Sequence, residues 1–383
     1  MHRQLSAQPP TARPGVWRRV VGRGAAAVAV ATAAGSTIAG CGGAGPSQHG
    51  PLTVPITLAG RVGGPYGVAP VVRVRIDGSR PLPVLLDTGS TGLRILARDV
   101  PPVQRNTATG GDTRTWATGA VTTERLITAR VTIGTVRTTQ AVHVGVVDSV
   151  TCPGFPCGGW PSRVPGIVGT LGVSLLPDAT TENPLLALAG GQARSWRITL
   201  AGSHPGLELG APIPSHPVAT FAAPRADIGR AGGQTTAPPA GGRHGRQLDD
   251  ASAAEACWQI GRQTRRTCLP TVFDTGTSSV IAMNMSGAQS SARLVDPGTR
   301  ISVWASATAP RPFWSFDSGY TQGRNLVAVS TTPPALIVSG MPTFSAFAIT
   351  FDASLGRQYL TRVDRPVVAP ADKPPVRAAH GGD

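Results

Sequence analysis

Two short segments of the chain place an aspartate in nearly the same setting. The first reads VLLDTGSTGLRIL and contains Asp87, and the second reads TVFDTGTSSVIAM and contains Asp274. In both segments, mostly apolar residues precede Asp-Thr-Gly, and a hydroxyl residue follows. The two aspartates are separated by about half of the 383-residue chain, which is the spacing that two copies of one structural unit would produce.

Paired carboxylates offer a specific chemistry. Two carboxylates held within hydrogen-bonding distance cannot both ionise at low cost, so they share one proton and titrate as a pair. The ionised member can take a proton from a bound water molecule while the protonated member polarises the carbonyl group under attack. One carboxylate cannot do both at once. We therefore predict that Asp87 and Asp274 are the catalytic residues of a hydrolase.

The residues after each aspartate are suited to supporting such a pair. A glycine lets two backbones approach where a Cβ atom would clash. A threonine can form hydrogen bonds across the boundary between two units, and a further hydroxyl group can donate to the carboxylate. We predict these supporting roles for Thr88, Gly89, Ser90, Thr275, Gly276 and Thr277.

The rest of the chain has the composition of a protein made of strands and turns. It contains 48 glycines and 36 prolines, and only 14% of its residues are charged. Alternating runs such as APVVRVRIDG predict strands, and WRITLAG with GLELGAP predicts a hairpin. No stretch keeps the apolar spacing of a long helix, so we predict an all-β protein with few, short helices. The predicted boundaries are an N-terminal lobe at 52–213, a C-terminal lobe at 214–365 with a flexible insertion at 225–256, and a loose tail at 366–383.

These features resemble the pepsin-like aspartic proteases, including exported bacterial proteins of that fold. Beyond the two aspartate segments, GIVGTLG resembles the segment that crosses the first catalytic loop, with Ile167, Val168 and Gly169 as its two apolar residues and glycine. TWATGAVTTERLITARVTIG resembles the flap hairpin over the cleft, and PALIVSGMPTFSAFAITFDASLGRQYL resembles the C-terminal block. The resemblance implies a bilobal fold with the active site between two β lobes, an aspartic endopeptidase acting on polypeptides, and no cofactor.

The chain departs from that family's pattern at several positions. Trp116 stands where the family has its flap tyrosine, and Arg94 stands where it has a tryptophan that packs against the flap. Ser339 occupies the predicted glycine position of the second crossing segment, and the interval from Asp274 to that segment is short, so we expect a trimmed C-terminal lobe. Two substrate preferences stay open: apolar side chains next to Trp116, or an acidic side chain paired with Arg94.

The N-terminus has the pattern of an export signal. A basic region ending in RRVVGR precedes GAAAVAVATAAGSTIAG, which is too short and too weakly apolar for a stable membrane span. The following Cys41 completes a segment that resembles the bacterial lipobox, whose cysteine is lipidated and becomes the mature N-terminus. We predict a lipoprotein signal peptide at 1–40, lipidation of Cys41, a flexible tether at 41–51, and export to the outer face of the cell membrane. An ordinary signal peptide that contains a cysteine is the alternative.

Four further cysteines form two close pairs in the sequence. Outside the cytoplasm such pairs are most simply disulfide bonds, so we predict Cys152–Cys157 and Cys257–Cys268. No histidine lies near enough in sequence to complete a zinc motif with either pair, and we predict no metal site. The net charge is +15 and aromatic residues make up only 5%; because the arginines are scattered, we predict no nucleic-acid binding. We expect a monomer.

Two other interpretations stay open on the sequence alone. The altered flap positions are compatible with a catalytically inactive pepsin-fold lipoprotein that binds peptides or cell-wall components. A plain adhesive or structural lipoprotein is a further alternative, in which both Asp-Thr-Gly loops would be ordinary turns. Other hydrolases are disfavoured, since the chain has no G-x-S-x-G motif and no H-E-x-x-H motif.

Overall fold

The computed structural model describes nine ranges of the chain. They are residues 50–60, 67–116, 119–152, 160–176, 178–222, 254–283, 293–319, 325–330 and 335–364. The predicted signal peptide, Cys41, most of the tether and the predicted tail lie outside these ranges. Among the described residues, no helix is long and apolar enough to span a membrane.

The described strands, numbered in chain order, form three sheets. The N-terminal sheet contains β2 (Thr57–Gly60), β3 (Val68–Ile76), β4 (Leu82–Asp87), β5 (Thr91–Leu96), β6 (Thr109–Thr115), β7 (Val121–Ala129), β8 (Val131–Ile133), β9 (Val136–Arg137), β10 (Val142–Thr151) and β11 (Gly169–Val173). The linking sheet contains β1 (Leu52–Pro55), β12 (Ser195–Thr199), β13 (Gly206–Leu209), β14 (Ala219–Ala222), β23 (Phe347–Asp352) and β24 (Arg357–Arg362). The C-terminal sheet contains β15 (Ala254–Ile260), β16 (Thr267–Val272), β17 (Val280–Met283), β18 (Arg293–Leu294), β19 (Arg300–Trp304), β20 (Trp314–Asp317), β21 (Val327–Ser330) and β22 (Leu336–Val338).

Helices are few and short in the described part of the chain, as predicted. The two α-helices are α1 (Pro102–Asn106) and α2 (Gly340–Ala346), and the 3-10 helices are Ala97–Asp99, Pro184–Ala187 and Gly190–Ala193. In the C-terminal block, α2 lies between β22 and β23.

Alternation along the strands builds the core. In β3, Val72, Val74 and Ile76 are buried while Arg73 and Arg75 are exposed, so one face of the strand packs inward and the other faces solvent. The same alternation in the sequence predicted this strand, because side chains on a strand point to opposite faces in turn.

The linking sheet joins the two halves of the chain. Strand β12 pairs with β13, which confirms the predicted hairpin, and its other edge pairs with β23 from the C-terminal block. Trp196 of β12 stacks on Phe351 of β23 with ring centroids 5.8 Å apart, and both side chains are fully buried. Residues far apart in sequence therefore share one core beneath the two outer sheets.

A crossing strand runs between β4 and β5 in the N-terminal sheet. Strand β11 is parallel to β4 and antiparallel to β5, and Gly172 pairs with Asp87. The crossing begins at Val168, whose N–H donates to the Pro83 carbonyl at 3.0 Å. The predicted segment, Ile167 to Gly169, is therefore only the entry to the crossing, and the glycine beside the aspartate is Gly172.

The C-terminal sheet repeats this arrangement with a different glycine from the one expected. Strand β22 runs between β16 and β17, and Val338 pairs with Val272, two residues before Asp274. Counted from this pair, Gly340 is the residue that corresponds to Gly172 of the N-terminal sheet, and it is the first residue of α2. A Cβ atom on Gly340 would lie 2.1 Å from the Ser279 carbonyl oxygen. The expectation that Ser339 fills the glycine position is wrong, because the chain places its close approach one residue later.

Strand β15 overlaps the end of the predicted insertion. Residues 223–253 lie outside the described ranges, but Ala254 and Ala256 are buried in β15, which pairs with β16. The last three residues of the predicted flexible insertion, 254–256, therefore belong to a strand, and the rest of the predicted insertion lies outside the described residues. Small alanines on the buried face give a weak hydrophobic pattern, so the sequence did not reveal this strand.

The second cysteine pair forms the predicted disulfide bond. Cys257 and Cys268 lie opposite each other on β15 and β16 and are bonded. This cross-link ties together the hairpin whose second strand leads to Asp274. Cys152 is also disulfide-bonded, while its predicted partner Cys157 lies outside the described residues.

We expect Gly340→Ala to destabilise the fold much more than Gly298→Ala. Both glycines have positive φ angles, +62° and +79°, but a Cβ atom at Gly298 would meet nothing within 4 Å. The control should therefore lose only about 1–2 kcal/mol of unfolding free energy to left-handed backbone strain, while Gly340→Ala should lose roughly 2–5 kcal/mol because strain and overpacking add. Denaturant unfolding measures both. Equal losses would show that the close approach is not restrictive.

Candidate active site

The two aspartates lie at equivalent places in the two outer sheets. Asp87 is the last residue of β4, and Asp274 lies two residues beyond the end of β16. Each is followed by a turn into the next strand of its sheet, and each is 7% exposed. The sheets therefore deliver two carboxylates to one buried region from opposite sides.

Two threonines bind the aspartate loops to each other. The N–H of Thr88 donates to Thr275 Oγ1 at 3.1 Å, and the N–H of Thr275 donates to Thr88 Oγ1 at 3.0 Å. Each hydroxyl also donates onward at 2.5 Å, Thr88 to the Phe273 carbonyl and Thr275 to the Leu86 carbonyl. All of these groups are buried, so the bonds form away from competing water. They fix the distance and the relative orientation of the loops.

The carboxylate of Asp87 is held by two donors from its own loop. Oδ1 accepts from the N–H of Gly89 at 2.8 Å, and Oδ2 accepts from Ser90 Oγ at 2.5 Å. Hydrogen bonds to an ionised oxygen are shorter and stronger than those between neutral groups. Each oxygen of the Asp87 carboxylate therefore has a hydrogen-bond donor from its own loop.

The carboxylate of Asp274 has the matching pair of donors. Oδ1 accepts from the N–H of Gly276 at 2.6 Å, and Oδ2 accepts from Thr277 Oγ1 at 2.5 Å. Each contact corresponds to one at Asp87, so the two loops are related by an approximate two-fold axis. The structure thus brings together both predicted catalytic residues and all six predicted supporting residues.

The glycines allow each loop to touch the other aspartate. A Cβ atom on Gly89 would lie 2.6 Å from Cγ of Asp274, and one on Gly276 would lie 2.8 Å from Oδ1 of Asp87. Such contacts are shorter than any side chain tolerates, and the obstructing atoms belong to hydrogen-bonded carboxylates. Any other residue at either position would push the carboxylates apart.

One of the two carboxyl groups, that of Asp274, is hard to ionise. Burial, then the charge of Asp87, then a side-chain hydrogen bond with Asp87 raise the pKa of Asp274 well above its usual value, although the donors Thr277 and Gly276 act in the opposite direction. The site therefore holds a proton on one carboxyl group under conditions in which a free aspartate would have lost it.

Trp116 lies on the hairpin formed by β6 and β7, which we call the flap hairpin. It follows the end of β6, and its N–H donates to the Ala120 carbonyl at 2.9 Å across the hairpin end. Its indole Nε1–H donates to Thr122 Oγ1 at 3.0 Å, and its ring contacts that of Trp160 with centroids 5.5 Å apart. The polar end of the indole is thus bound within the flap hairpin.

Arg94 does not point to an open cleft. Its side chain is 0% exposed, and its Nε donates to Glu124 while Nη2 donates to Asp178 at 3.3 Å. The open hypothesis that Arg94 pairs with an acidic substrate side chain is wrong, because its charge is already neutralised in the interior. An isolated charge would be too costly to bury there.

Sequence reasoning did not identify the partners of Arg94. Glu124 lies in β7 and Asp178 in the loop after β11, both far from Arg94 in sequence. One signal was available: Arg94 is flanked by apolar residues in GLRIL, and an arginine in a buried strand requires an acidic partner. That rule names no partner, since the pairing depends on which strands become neighbours.

The described residues offer no metal site. No group of three or more histidine, cysteine, aspartate or glutamate side chains in these ranges is arranged to hold a metal ion.

Comparison with known proteins supports the fold. No protein-family model matches the chain, and no curated protein matches it either. Among solved structures, the chain is similar to the aspartic proteinase from Irpex lacteus, with a TM-score of 0.50 and 14% identity over 82% of this chain and 98% of that one. The predicted all-β fold of the pepsin-like type, with two β lobes, is confirmed.

We expect Asp274→Asn to stabilise the protein at neutral pH. Because the folded-state pKa is raised, the folded protein holds this proton more tightly than the unfolded chain does. The protonated Asp274 side chain therefore contributes fully to the free energy of unfolding below the unfolded-state pKa of about 4. This contribution is lost as the pH rises toward the folded-state pKa. Asparagine cannot ionise, so the variant should exceed the wild type in unfolding free energy at pH 7, and the difference should shrink below about pH 4.

Urea unfolding at pH 3, 5 and 7 measures this difference. Asp317→Asn is the control, because it removes an exposed carboxylate from β20 and should change stability little at any of these pH values. If Asp274→Asn were no more stable than the wild type at pH 7, the pKa of Asp274 would not be raised.

Proposed function

We propose that this protein is an aspartic endopeptidase in which Asp87 and Asp274 activate a water molecule to hydrolyse peptide bonds. The observation that carries the proposal is the matched environment of the two carboxylates: equivalent loops, equivalent donors, reciprocal threonine bonds and a raised pKa on one member. A structural turn has no need of a second copy of itself in contact with the first.

The proton distribution supports a division of roles. Asp274, whose pKa is raised, carries the shared proton and donates it to the carbonyl oxygen of the peptide bond. Asp87 takes a proton from the water molecule, whose oxygen adds to the carbonyl carbon. The resulting tetrahedral intermediate then collapses: Asp87 gives the proton it took from water to the nitrogen, the C–N bond breaks, and one hydroxyl group of the intermediate returns a proton to Asp274. Asp274 thus loses one proton and regains one, while Asp87 gains one and loses it again. The proposed reaction uses no cofactor.

We propose that the enzyme works as a monomer attached to the outer face of the cell membrane. Both aspartate loops come from one chain, so the site needs no second copy. The disulfide between Cys257 and Cys268 is consistent with an oxidising compartment outside the cytoplasm. Attachment would come from a lipid on Cys41 after removal of residues 1–40, with residues 41–51 as the tether.

Substitution of either aspartate tests the activity. The detergent-solubilised full-length protein is incubated with a peptide library between pH 3 and pH 8, beside Asp87→Asn and Asp274→Asn. Because acid–base catalysis by the pair requires both groups, each variant should lose about a thousandfold or more in kcat/KM. Pepstatin should inhibit the wild-type protein.

Asp148→Asn is the control for this experiment, since Asp148 forms an exposed ion pair with Arg125 on the flap hairpin and should not affect cleavage. Cleavage that survives either catalytic substitution would reject the proposed mechanism. No cleavage by the wild type at any pH would instead favour the alternative, a pepsin-fold lipoprotein that binds peptides or cell-wall components without cutting them.

Peptides with glutamate beside the cut should be cleaved no faster than matched peptides with glutamine. Arg94 follows Asp87 in the same segment of sequence, but it is buried and already paired with Glu124 and Asp178. We expect kcat/KM values that agree within about threefold for the two peptides, since no interaction with the substrate charge is lost. A tenfold or greater preference for glutamate would show that Arg94 reaches the substrate.

A further inference from the structure

Four charged side chains are buried together where the flap hairpin meets the N-terminal sheet. Their side chains are at most 6% exposed. We call them the flap-base network; its members are Arg94 on β5, Arg114 on β6, Glu124 on β7 and Asp178 in the loop after β11.

Each member of the network contacts an oppositely charged member. Arg94 Nε lies 3.0 Å from Glu124 Oε2, and Arg94 Nη2 lies 3.3 Å from Asp178 Oδ2. Arg114 Nη2 lies 2.8 Å from the same Asp178 oxygen, and its Nε lies 3.8 Å from Glu124 Oε1. Two positive and two negative charges thus balance one another, and they connect both strands of the flap hairpin to β5.

The carboxylate of Asp178 keeps its charge despite its depth. Burial alone would raise its pKa, but the charges of Arg94 and Arg114 and the N–H groups of Thr180 and Thr181 outweigh that effect and lower the pKa. The Asp178 carboxylate therefore remains ionised at neutral pH, and its contacts with Arg94 and Arg114 are between charged groups.

The network also reaches the first aspartate loop. Arg94 Nη1 donates to the Thr91 carbonyl at 2.6 Å, and Thr181 Oγ1 donates to the same carbonyl at 3.0 Å. Thr91 directly follows Ser90, which donates to the carboxylate of Asp87. Arg94 is thus bonded to the aspartate loop through one side of its guanidinium group and to the flap hairpin through the other.

On its outer side the network supports Trp116. The guanidinium carbons of Arg94 and Arg114 lie 5.7 Å and 5.9 Å from the centroid of the Trp116 ring. Cations within about 6 Å of an aromatic face are attracted to it, most strongly where water is excluded. The ring is therefore held by two cations and by its hydrogen bond to Thr122.

Space for the network is provided by a glycine on the neighbouring strand. A Cβ atom on Gly145 of β10 would lie 2.9 Å from Arg94 Cγ and 2.9 Å from Glu124 Oε2. A larger residue at this position would displace the ion pair, so the local packing accommodates these charges specifically.

Stability alone is a poor explanation for such a network. Replacing a buried ion pair with apolar side chains of similar volume is often neutral or stabilising, because desolvation offsets most of the attraction between the charges. Charged hydrogen bonds do, however, require one geometry, whereas apolar contacts tolerate several. The network is better suited to fixing where its elements lie than to adding stability.

We propose that the flap-base network is a positioning device, which holds the flap hairpin and Trp116 in a fixed relation to the Asp87 loop so that the hairpin closes on a bound polypeptide. Its catalytic consequence rests on the proposed endopeptidase function. Arg94, Arg114, Glu124 and Asp178 are positioning residues in this account, since they act through Trp116 and the Asp87 loop.

The decisive variant is the double substitution Arg94→Met with Glu124→Met in the full-length protein. The double substitution removes one positive and one negative charge and replaces each side chain with an apolar one of similar size. The Arg114–Asp178 pair stays intact, so no unpaired charge is left in the interior. Glu124→Gln is the single variant, which removes one charge with little change in shape. Asp148→Asn is the matched control, because it removes an exposed ion-pair partner of Arg125 on the same strand of the flap hairpin.

Hydrogen exchange measured by mass spectrometry reports how readily the hairpin opens, and it needs no turnover. We expect amides of β6 and β7 in the double variant to exchange about tenfold faster or more, while those of β15 and β16 match the wild type. The Asp148→Asn control should leave both regions unchanged. If the ratio of exchange in the flap hairpin to exchange in β15 and β16 equalled that of the wild type, the positioning role would be rejected.

Steady-state kinetics test the catalytic consequence. In the double variant KM for a peptide substrate should rise about tenfold or more while kcat stays within about threefold, because a displaced flap weakens substrate binding before it affects the aspartate pair. Faster exchange with an unchanged KM would reject the link to substrate closure. If the wild type cleaves no peptide, the endopeptidase function fails, and the exchange result still decides whether the network positions the hairpin.

Discussion

Two carboxyl groups buried in contact with each other repel one another and lose their hydration, and the rest of the site is arranged around these costs. One group keeps a proton: the pKa of Asp274 is raised by its burial and by the neighbouring charge of Asp87. The backbone N–H groups of Gly89 and Gly276 and two hydroxyl groups supply the hydrogen bonds that water would otherwise provide. A proton retained in this way is available for transfer at a pH where free carboxyl groups have none.

That contact can persist only if both loops are held from behind. The reciprocal bonds between Thr88 and Thr275 hold them against each other, while the crossing strands β11 and β22 hold each loop within its own sheet. At Gly172 of β11 and at Gly340, two residues after β22, an added Cβ atom would clash with the backbone that follows each aspartate. The linking sheet below contains strands from both ends of the described chain, so movement of one lobe relative to the other would disrupt a common core.

The surroundings of the pair are less symmetric than the pair itself. Beside the Asp87 loop, Arg94 lies in a network of buried charges that reaches the flap hairpin. A charged network can hold a hairpin as an aromatic contact would, but it depends on each partner being present, since a single missing charge leaves another unpaired. The flap hairpin is thus held by the charged network, whereas the chemistry depends on the two aspartates.

The sequence by itself determined the paired aspartates, their supporting residues, the all-β class, the hairpin of β12 and β13, and the bond between Cys257 and Cys268, because each depends on local residue types or on a repeated motif. Tertiary structure alone decided that Gly340 rather than Ser339 makes the second close approach, that Asp274 has the raised pKa, and that Arg94 faces Glu124 and Asp178 rather than a substrate. These outcomes depend on strand register and on contacts between distant segments. A one-residue change in register moves a side chain to the other face of a sheet, and local patterns in a sequence do not specify which distant residue then lies opposite it.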